Sequence, residues 1–267
     1  MFILPQEIKN NYIDLNLGFE FDLDMVGIGV NVPVKLKTEG GLGLKENEWD
    51  DNSDYLRFIR YLRIGKKGDT FYGLIGELKN VGIGHGTIMS SYTNLGDPAF
   101  WNVGLALDLN LDQITVETVF DNIIEPNLLG GRVRLGLGIL GADDILSDFG
   151  IGFTFLTDTK APNEYKTVED SDAYSRDGQT ESLGIVGIDI DYRLLKNKLF
   201  NLTPYIDMNF VSDGGNGTHV GLLHSSAFTG FNLFSRWEYR YMKDNYIPSY
   251  FNANYEFDKY LKLFRYN

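Results

Sequence analysis

From Ile13 onward the chain alternates: Ile13, Leu15, Leu17, Phe19 and Phe21 are apolar, and Asp14, Asn16, Gly18, Glu20 and Asp22 fill the positions between them. A period of two puts successive side chains on opposite faces of a β-strand. The phase switches between Leu23 and Val26, after which Ile28, Val30, Val32, Val34 and Leu36 oppose Asn31, Lys35 and Lys37, which predicts two strands and a tight turn. The pattern returns at Trp101, Val103, Leu105, Leu107 and Leu109, at Val133, Leu135, Leu137 and Ile139, at Val186, Ile188, Ile190 and Tyr192, and at Trp237, Tyr239 and Tyr241. The positions between them repeatedly carry charge: Asp108, Arg132 and Arg134, Asp189 and Asp191, Arg236, Glu238 and Arg240. Strands are expected near 11–21, 26–37, 54–64, 70–79, 100–110, 114–121, 131–140, 148–157, 183–194, 201–211, 231–242 and 248–258.

These strands run near ten residues, against about 5 or 6 for ordinary sheets. Glycine collects on the polar face, where a crowded lumen needs small residues, while the apolar face is large and unbroken. The expected fold is therefore all-β: a transmembrane, antiparallel, up-and-down β-barrel of about twelve strands, within ten to fourteen, forming one domain over 1–267. Tyr12, Tyr72, Trp101, Trp237, Tyr239, Tyr241, Tyr250 and Phe251 stand near strand ends, as interfacial girdles do; a soluble sandwich with an aromatic core is the competing reading. Connection lengths favour the barrel, because short turns and longer loops alternate along the chain, as they do when one rim faces the periplasm and the other the exterior. The long loops are acidic (Glu46, Glu48, Asp50, Asp51 and Asp54; Glu164, Glu169, Asp170, Asp172, Asp177 and Glu181) and the short turns carry Lys66, Lys67, Lys196, Lys198 and Lys243. A solvated surface is the plain reading of those acids, and calcium or lipopolysaccharide bridging the alternative. One detail fits badly: twelve strands with a short first turn put both termini outside the cell. Additional strands over 2–10 and 259–267 would restore the usual sidedness, although Pro5 opposes the first, and a fragment of a longer chain is the other explanation.

Composition narrows the function classes. A net charge of −13 opposes a nucleic-acid partner, which needs basic patches. With no cysteine there is no disulfide framework or thiolate metal site. No apolar run approaches the eighteen or so residues of a spanning helix, and the start, Met1 to Pro5, is neither basic nor long enough for a secretory signal, so an exported chain would have lost its signal. Barrel strands, needing only about 9–11 residues each, are untouched by that exclusion.

Several segments resemble a family of uncharacterised porin-like outer-membrane proteins of Gram-negative bacteria: Tyr61-Leu62-Arg63-Ile64-Gly65-Lys66-Lys67-Gly68-Asp69; Gly84-His85-Gly86-Thr87-Ile88-Met89 with Tyr92 and Asn94; Gly130-Gly131-Arg132-Val133; and Glu238-Tyr239-Arg240 with Asn245-Tyr246-Ile247-Pro248 and Tyr250-Phe251. The resemblance implies a barrel in the bacterial outer membrane. It carries over no substrate, cofactor or catalytic residue. The favoured reading is a porin-like barrel among outer-membrane lipid and lipopolysaccharide that lets small polar solutes cross, with lumen arginines and carboxylates setting the field.

The polar face supplies the candidate pore lining: Glu20, Asp22, Arg57, Arg63, Arg132, Arg134, Asp189, Asp191, Arg193, Arg236, Glu238 and Arg240. These either pair with one another and close a small barrel or line a narrow passage, since interior width grows with strand number. Gly82, Gly84 and Gly86 lack the helix that a phosphate-binding glycine loop must open, which makes close backbone packing or an inward-folded loop the better reading, with His85 either a constriction residue or an ordinary hydrogen-bonded loop histidine. His219 and His224 are the remaining histidines, and without a helical His-Glu pair no metal site and no cofactor is expected. The enzymatic alternative is His224, Ser226 and Glu238, similar in spacing to outer-membrane lipid A deacylases: Ser226 would attack an ester, His224 accept its proton and Glu238 fix the imidazole tautomer. Ala227 replaces the asparagine that follows the serine in that family, and Glu238 lies in the phase opposite to the lipid-side aromatics. A third possibility is a structural or adhesive barrel that presents its loops.

Overall fold

The computed structural model describes residues 12–37, 43–44, 59–95, 102–141, 144–162, 180–197, 199–212, 214–244 and 246–259. The chain divides into two compact units, 1–64 and 65–267.

In the first unit, β1 (Tyr12–Asp22) and β2 (Val26–Lys37) form a hairpin in unbroken register from Tyr12↔Lys37 to Asp22↔Gly27. Its turn places Asp24 at φ 65°, with the Asp24 amide donating to Asp22 Oδ1 at 3.1 Å, the usual way Asp tolerates a left-handed turn position. The two-residue β3 (Gly43–Leu44) and then β4 (Ile59–Ile64) pair with the other edge of β2. Ile13, Leu15, Leu17, Phe19 and Phe21 all stand exposed, while Arg60 and Arg63 reach Glu20 (3.5 Å) and Asp22 (2.9 Å).

The second unit is an antiparallel meander: β5 (Phe71–Gly76), β6 (Gly104–Leu111), β7 (Ile114–Phe120), β8 (Leu128–Gly136), β9 (Phe149–Pro162), β10 (Thr180–Tyr192), β12 (Phe200–Val211), β13 (Asn216–Phe228) and β14 (Phe231–Lys243), with the two-residue β11 (Leu195–Lys196) beside β12. Among the described residues the pairing does not close into a barrel. Among the described residues no helix is long and apolar enough to cross a membrane.

The faces are inverted relative to a water-soluble sheet. On β10, Val186, Ile188 and Ile190 are 40–52% exposed, whereas Asp189 and Asp191 between them are 2% and 4% exposed. β12 repeats this with Ile206, Met208 and Phe210 outward and Tyr205, Asp207 and Asn209 buried. The polar face is buried because two segments lie over it. One is the connection from β5 to β6, whose Leu78, Val81, Ile83, Ile88, Met89 and Tyr92 are buried; the other follows β14 and buries Tyr246, Phe251 and Tyr255. Backbone bonds join the two: Ser90 N–H donates to Phe251 O at 3.0 Å, Phe251 N–H to Ile88 O at 3.1 Å and Ser249 N–H to Thr87 O at 2.7 Å.

Three elements differ from the sequence expectation. The strand read over 131–140 stops at Gly136, and Leu137–Leu140 turn into a short 3-10 helix closed by Gly141 in left-handed backbone (φ 77°). Residues 212–230, read as a long loop, contain β13, because its inward positions are Gly217, His219 and Gly221 and Leu222-Leu223 interrupts the alternation. Residues 248–258, read as a strand, form a single parallel bridge from Phe251 to Met89 and a short helix, Tyr255–Asp258. Of the aromatics that suggested a girdle there, Phe251 is fully buried and Tyr250 half-buried, and the neighbouring Tyr255 is fully buried as well.

Candidate functional site

Register builds the site. One row across the polar face runs Arg134↔Gly152↔Asp189↔Asp207↔His219↔Arg240 over β8, β9, β10, β12, β13 and β14. The next includes Gly150↔Asp191↔Tyr205↔Gly221↔Glu238. Glycines stand where guanidiniums must lie: a Cβ on Gly150 would come 2.2 Å from Arg134 Cζ, and one on Gly152 2.6 Å from Arg132 Nη2.

The arginines are committed to the aspartates. Arg132 donates through Nε (2.9 Å) and Nη2 (2.6 Å) to Asp189, and Arg134 through Nε and Nη2 to Asp191 at 2.5–2.9 Å. All four residues are buried, where an unpaired charge would cost several kcal/mol, so pairing is obligatory. Glu117 adds a further carboxylate, 3.6 Å from Arg132 Nη1 and accepting from the Gly84 amide at 2.9 Å.

His85 is delivered to this cluster by the β5–β6 connection. Gly84 (φ 56°) and Gly86 (φ 79°) flank it in left-handed backbone, and a Cβ on Gly84 would meet Arg132 Cδ at 2.7 Å. The imidazole stacks on Tyr205 with ring centres 4.1 Å apart. Its Nδ1 lies 3.6 Å from Asp207 Oδ2 and 3.9 Å from Asp189 Oδ1, and its Nε2 3.6 Å from Asp191 Oδ2. Burial opposes its protonation, but the close carboxylates of Asp191, Asp207 and Asp189 outweigh that and raise its pKa above the ordinary 6.5. Thr87 donates to Asp207 Oδ2 at 2.5 Å, and Arg236 donates to the His85 carbonyl at 2.9 Å.

A second network adjoins it. Glu238 accepts from Tyr205 Oη at 2.7 Å and from Arg240, and stands 3.2 Å from His219 Nδ1, off the line of a hydrogen bond. His219 Nε2 meets Tyr246 Oη at 2.7 Å.

The candidate lining residues thus separate. Arg132, Arg134, Asp189 and Asp191 meet as one paired cluster with His85; Arg236, Glu238 and Arg240 adjoin it; Glu20, Asp22 and Arg63 pair within the first unit; Arg57 lies outside the described residues. Arg193 instead lines a cleft of about 410 Å³ at the end of the second unit that carries its short turns, together with Asp112, Lys196 and Thr203. There Lys196 donates to Asp112 at 2.8 Å and depresses its pKa.

Of the enzymatic trio, His224 and Ser226 come together and Glu238 does not join them. Ser226 Oγ lies 2.6 Å from His224 Nε2, while His224 Nδ1 lies 3.1 Å from Ser235 Oγ, its register partner on β14. Glu238 pairs in register with Gly221 and points to the polar face, whereas His224 and Ser226 share the phase of exposed Val220. Ser235 was not legible without the β13–β14 register. Asp207 was, since Tyr205, Asp207 and Asn209 alternate with Ile206, Met208 and Phe210. Comparison with family models, curated proteins and solved structures finds no match to this chain.

Proposed function

We propose that the chain is an outer-membrane β-barrel of porin type, whose polar face passes small solutes or ions under the restriction of the β5–β6 connection. The inverted amphipathicity of the strands carries this reading. An apolar face this extensive is unfavourable in water by about 25 cal/mol per Å², and hydrocarbon removes that cost; the charged face is tolerated because its groups pair with one another. Barrel closure and residence in the bacterial outer membrane, among lipid and lipopolysaccharide, belong to the proposal. The committed salt bridges and the packed connection argue for a narrow, throttled passage rather than a wide one.

The test is planar-bilayer conductance of the refolded chain. Small steps in the native protein, enlarged severalfold when residues 80–93 are replaced by a short Gly-Ser linker, support the passage. A strand-rich, membrane-inserted protein that conducts in neither form refutes it.

The 2.6 Å contact between Ser226 and His224 favours a second reading, an acyl hydrolase working at the lipid side. In it, Ser226 is the nucleophile, His224 the base and Ser235, rather than Glu238, the group that orients the imidazole. Phospholipid ester hydrolysis abolished by Ser226→Ala, reduced by Ser235→Ala and unaffected by Glu238→Gln would establish this. Absence of hydrolysis in the native protein removes it.

A further inference from the structure

The pocket around His85 holds an arrangement that pairing among its own side chains leaves incomplete. Three carboxylates converge on the imidazole, those of Asp189, Asp191 and Asp207, and two guanidiniums answer them, those of Arg132 and Arg134. Asp189 and Asp207 face each other directly in the β10–β12 register, a placement that disfavours two like charges unless something sits between them. Arg132 takes both oxygens of Asp189, but among the described residues Asp207 accepts only the neutral hydroxyl of Thr87. His85 is 7% exposed, and among the described residues its Nδ1 has no hydrogen-bond partner although it lies near both carboxylates.

From this we infer that His85 Nδ1, Asp189 and Asp207 form a binding site for one divalent transition-metal cation of the zinc class. The three donor atoms lie within 4.8 Å of one another. The separations of 3.6 and 3.9 Å from Nδ1 are too long for hydrogen bonds. They are close to the edge of a tetrahedron with ligand bonds of about 2.0–2.1 Å, which is about 3.4 Å, so the two carboxylates need to close on the imidazole by only a few tenths of an ångström, while their own oxygens lie within 4.8 Å of each other. One imidazole nitrogen with two carboxylates suits zinc and its neighbours, whereas calcium and magnesium call for six or more oxygens. The ligands are held from outside as metal ligands usually are: Tyr205 stacks on the imidazole, Thr87 bonds Asp207 and Arg132 bonds Asp189. Each ligand comes from a different element, so the cation would tie the β5–β6 connection to β10 and β12. The inference does not require the passage to conduct.

The experiment is titration of the refolded, chelator-treated full chain with zinc chloride by calorimetry, and with cobalt(II) chloride by visible absorption. One equivalent is expected to bind, with a cobalt spectrum of low-symmetry four- or five-coordinate type. His85→Ala and Asp207→Asn are each expected to weaken binding at least tenfold and to erase that spectrum, and His224→Ala to change neither. Asp207→Asn keeps the shape of the side chain and its Thr87 contact, so it remains informative if His85→Ala misfolds. No binding to the native chain, binding unchanged in both site variants, or binding lost in His224→Ala would each overturn the site.

Discussion

Gly84 stands where the requirements of backbone and packing coincide. Its φ of 56° disfavours any side chain, and the arginine that an added methyl would strike is held by two bonds to Asp189. Gly84→Ala is expected to lower the unfolding free energy by about 1–3 kcal/mol, measured by urea unfolding in detergent. Asp121, just beyond β7, gives a pH signature. Burial raises its pKa to about 6 despite amide bonds from Asn127 and Leu128. Because that value lies above the unfolded one, its proton stabilises the fold fully below about pH 4, and this contribution is lost as the pH rises through about 6. Asp121→Asn has no proton to lose, so the variant should gain on the native chain between pH 4 and 7 by at most about 3 kcal/mol. Paired unfolding curves at the two pH values check it; an unchanged difference would show that Asp121 is ionised at no cost.

Among the elements, the β5–β6 connection and the segment after β14 form one packed body on the polar face. Phe251 is fully buried between them and its backbone bonds both Ser90 and Ile88. Phe251→Ala is expected to cost about 3–5 kcal/mol. Hydrogen exchange should rise at Ile88 and Ser90 while β9 and β10 stay protected. Uniform deprotection of the strands instead would mean that this body is required for the sheet itself. The Tyr255 hydroxyl and Lys259 both reach Asp158, each at 2.6 Å, so the same segment also neutralises a fully buried carboxylate on β9.

At the scale of the molecule, what surrounds the apolar face is the main question. Trp237 is 71% exposed and Tyr239 72%, on the same face as Leu233 and Tyr241. With Trp49 and Trp101 replaced by phenylalanine, Trp237 fluorescence should be quenched strongly in brominated-lipid vesicles and weakly by aqueous iodide. The reverse would place this face against water or protein and remove the barrel reading.

The alternation along Ile13–Phe21, Val186–Tyr192 and Trp237–Tyr241 was sufficient to determine strands, their phase and which side chains share a face, because a two-residue period is a local property of the backbone. It therefore also placed Arg132, Arg134, Asp189 and Asp191 together on one face. It missed β13, whose inward glycines and histidine carry no hydrophobic contrast, and it mistook Tyr250 and Phe251 for a strand, because whether an aromatic faces lipid or a packed interior depends on the segment lying across from it. Only the tertiary structure decided that His85 meets Asp189 and Asp207, and that Ser235 rather than Glu238 stands beside His224. Those pairings join residues through strand register and loop placement, and a one-residue slip in either would exchange the faces without altering the pattern that the sequence displays.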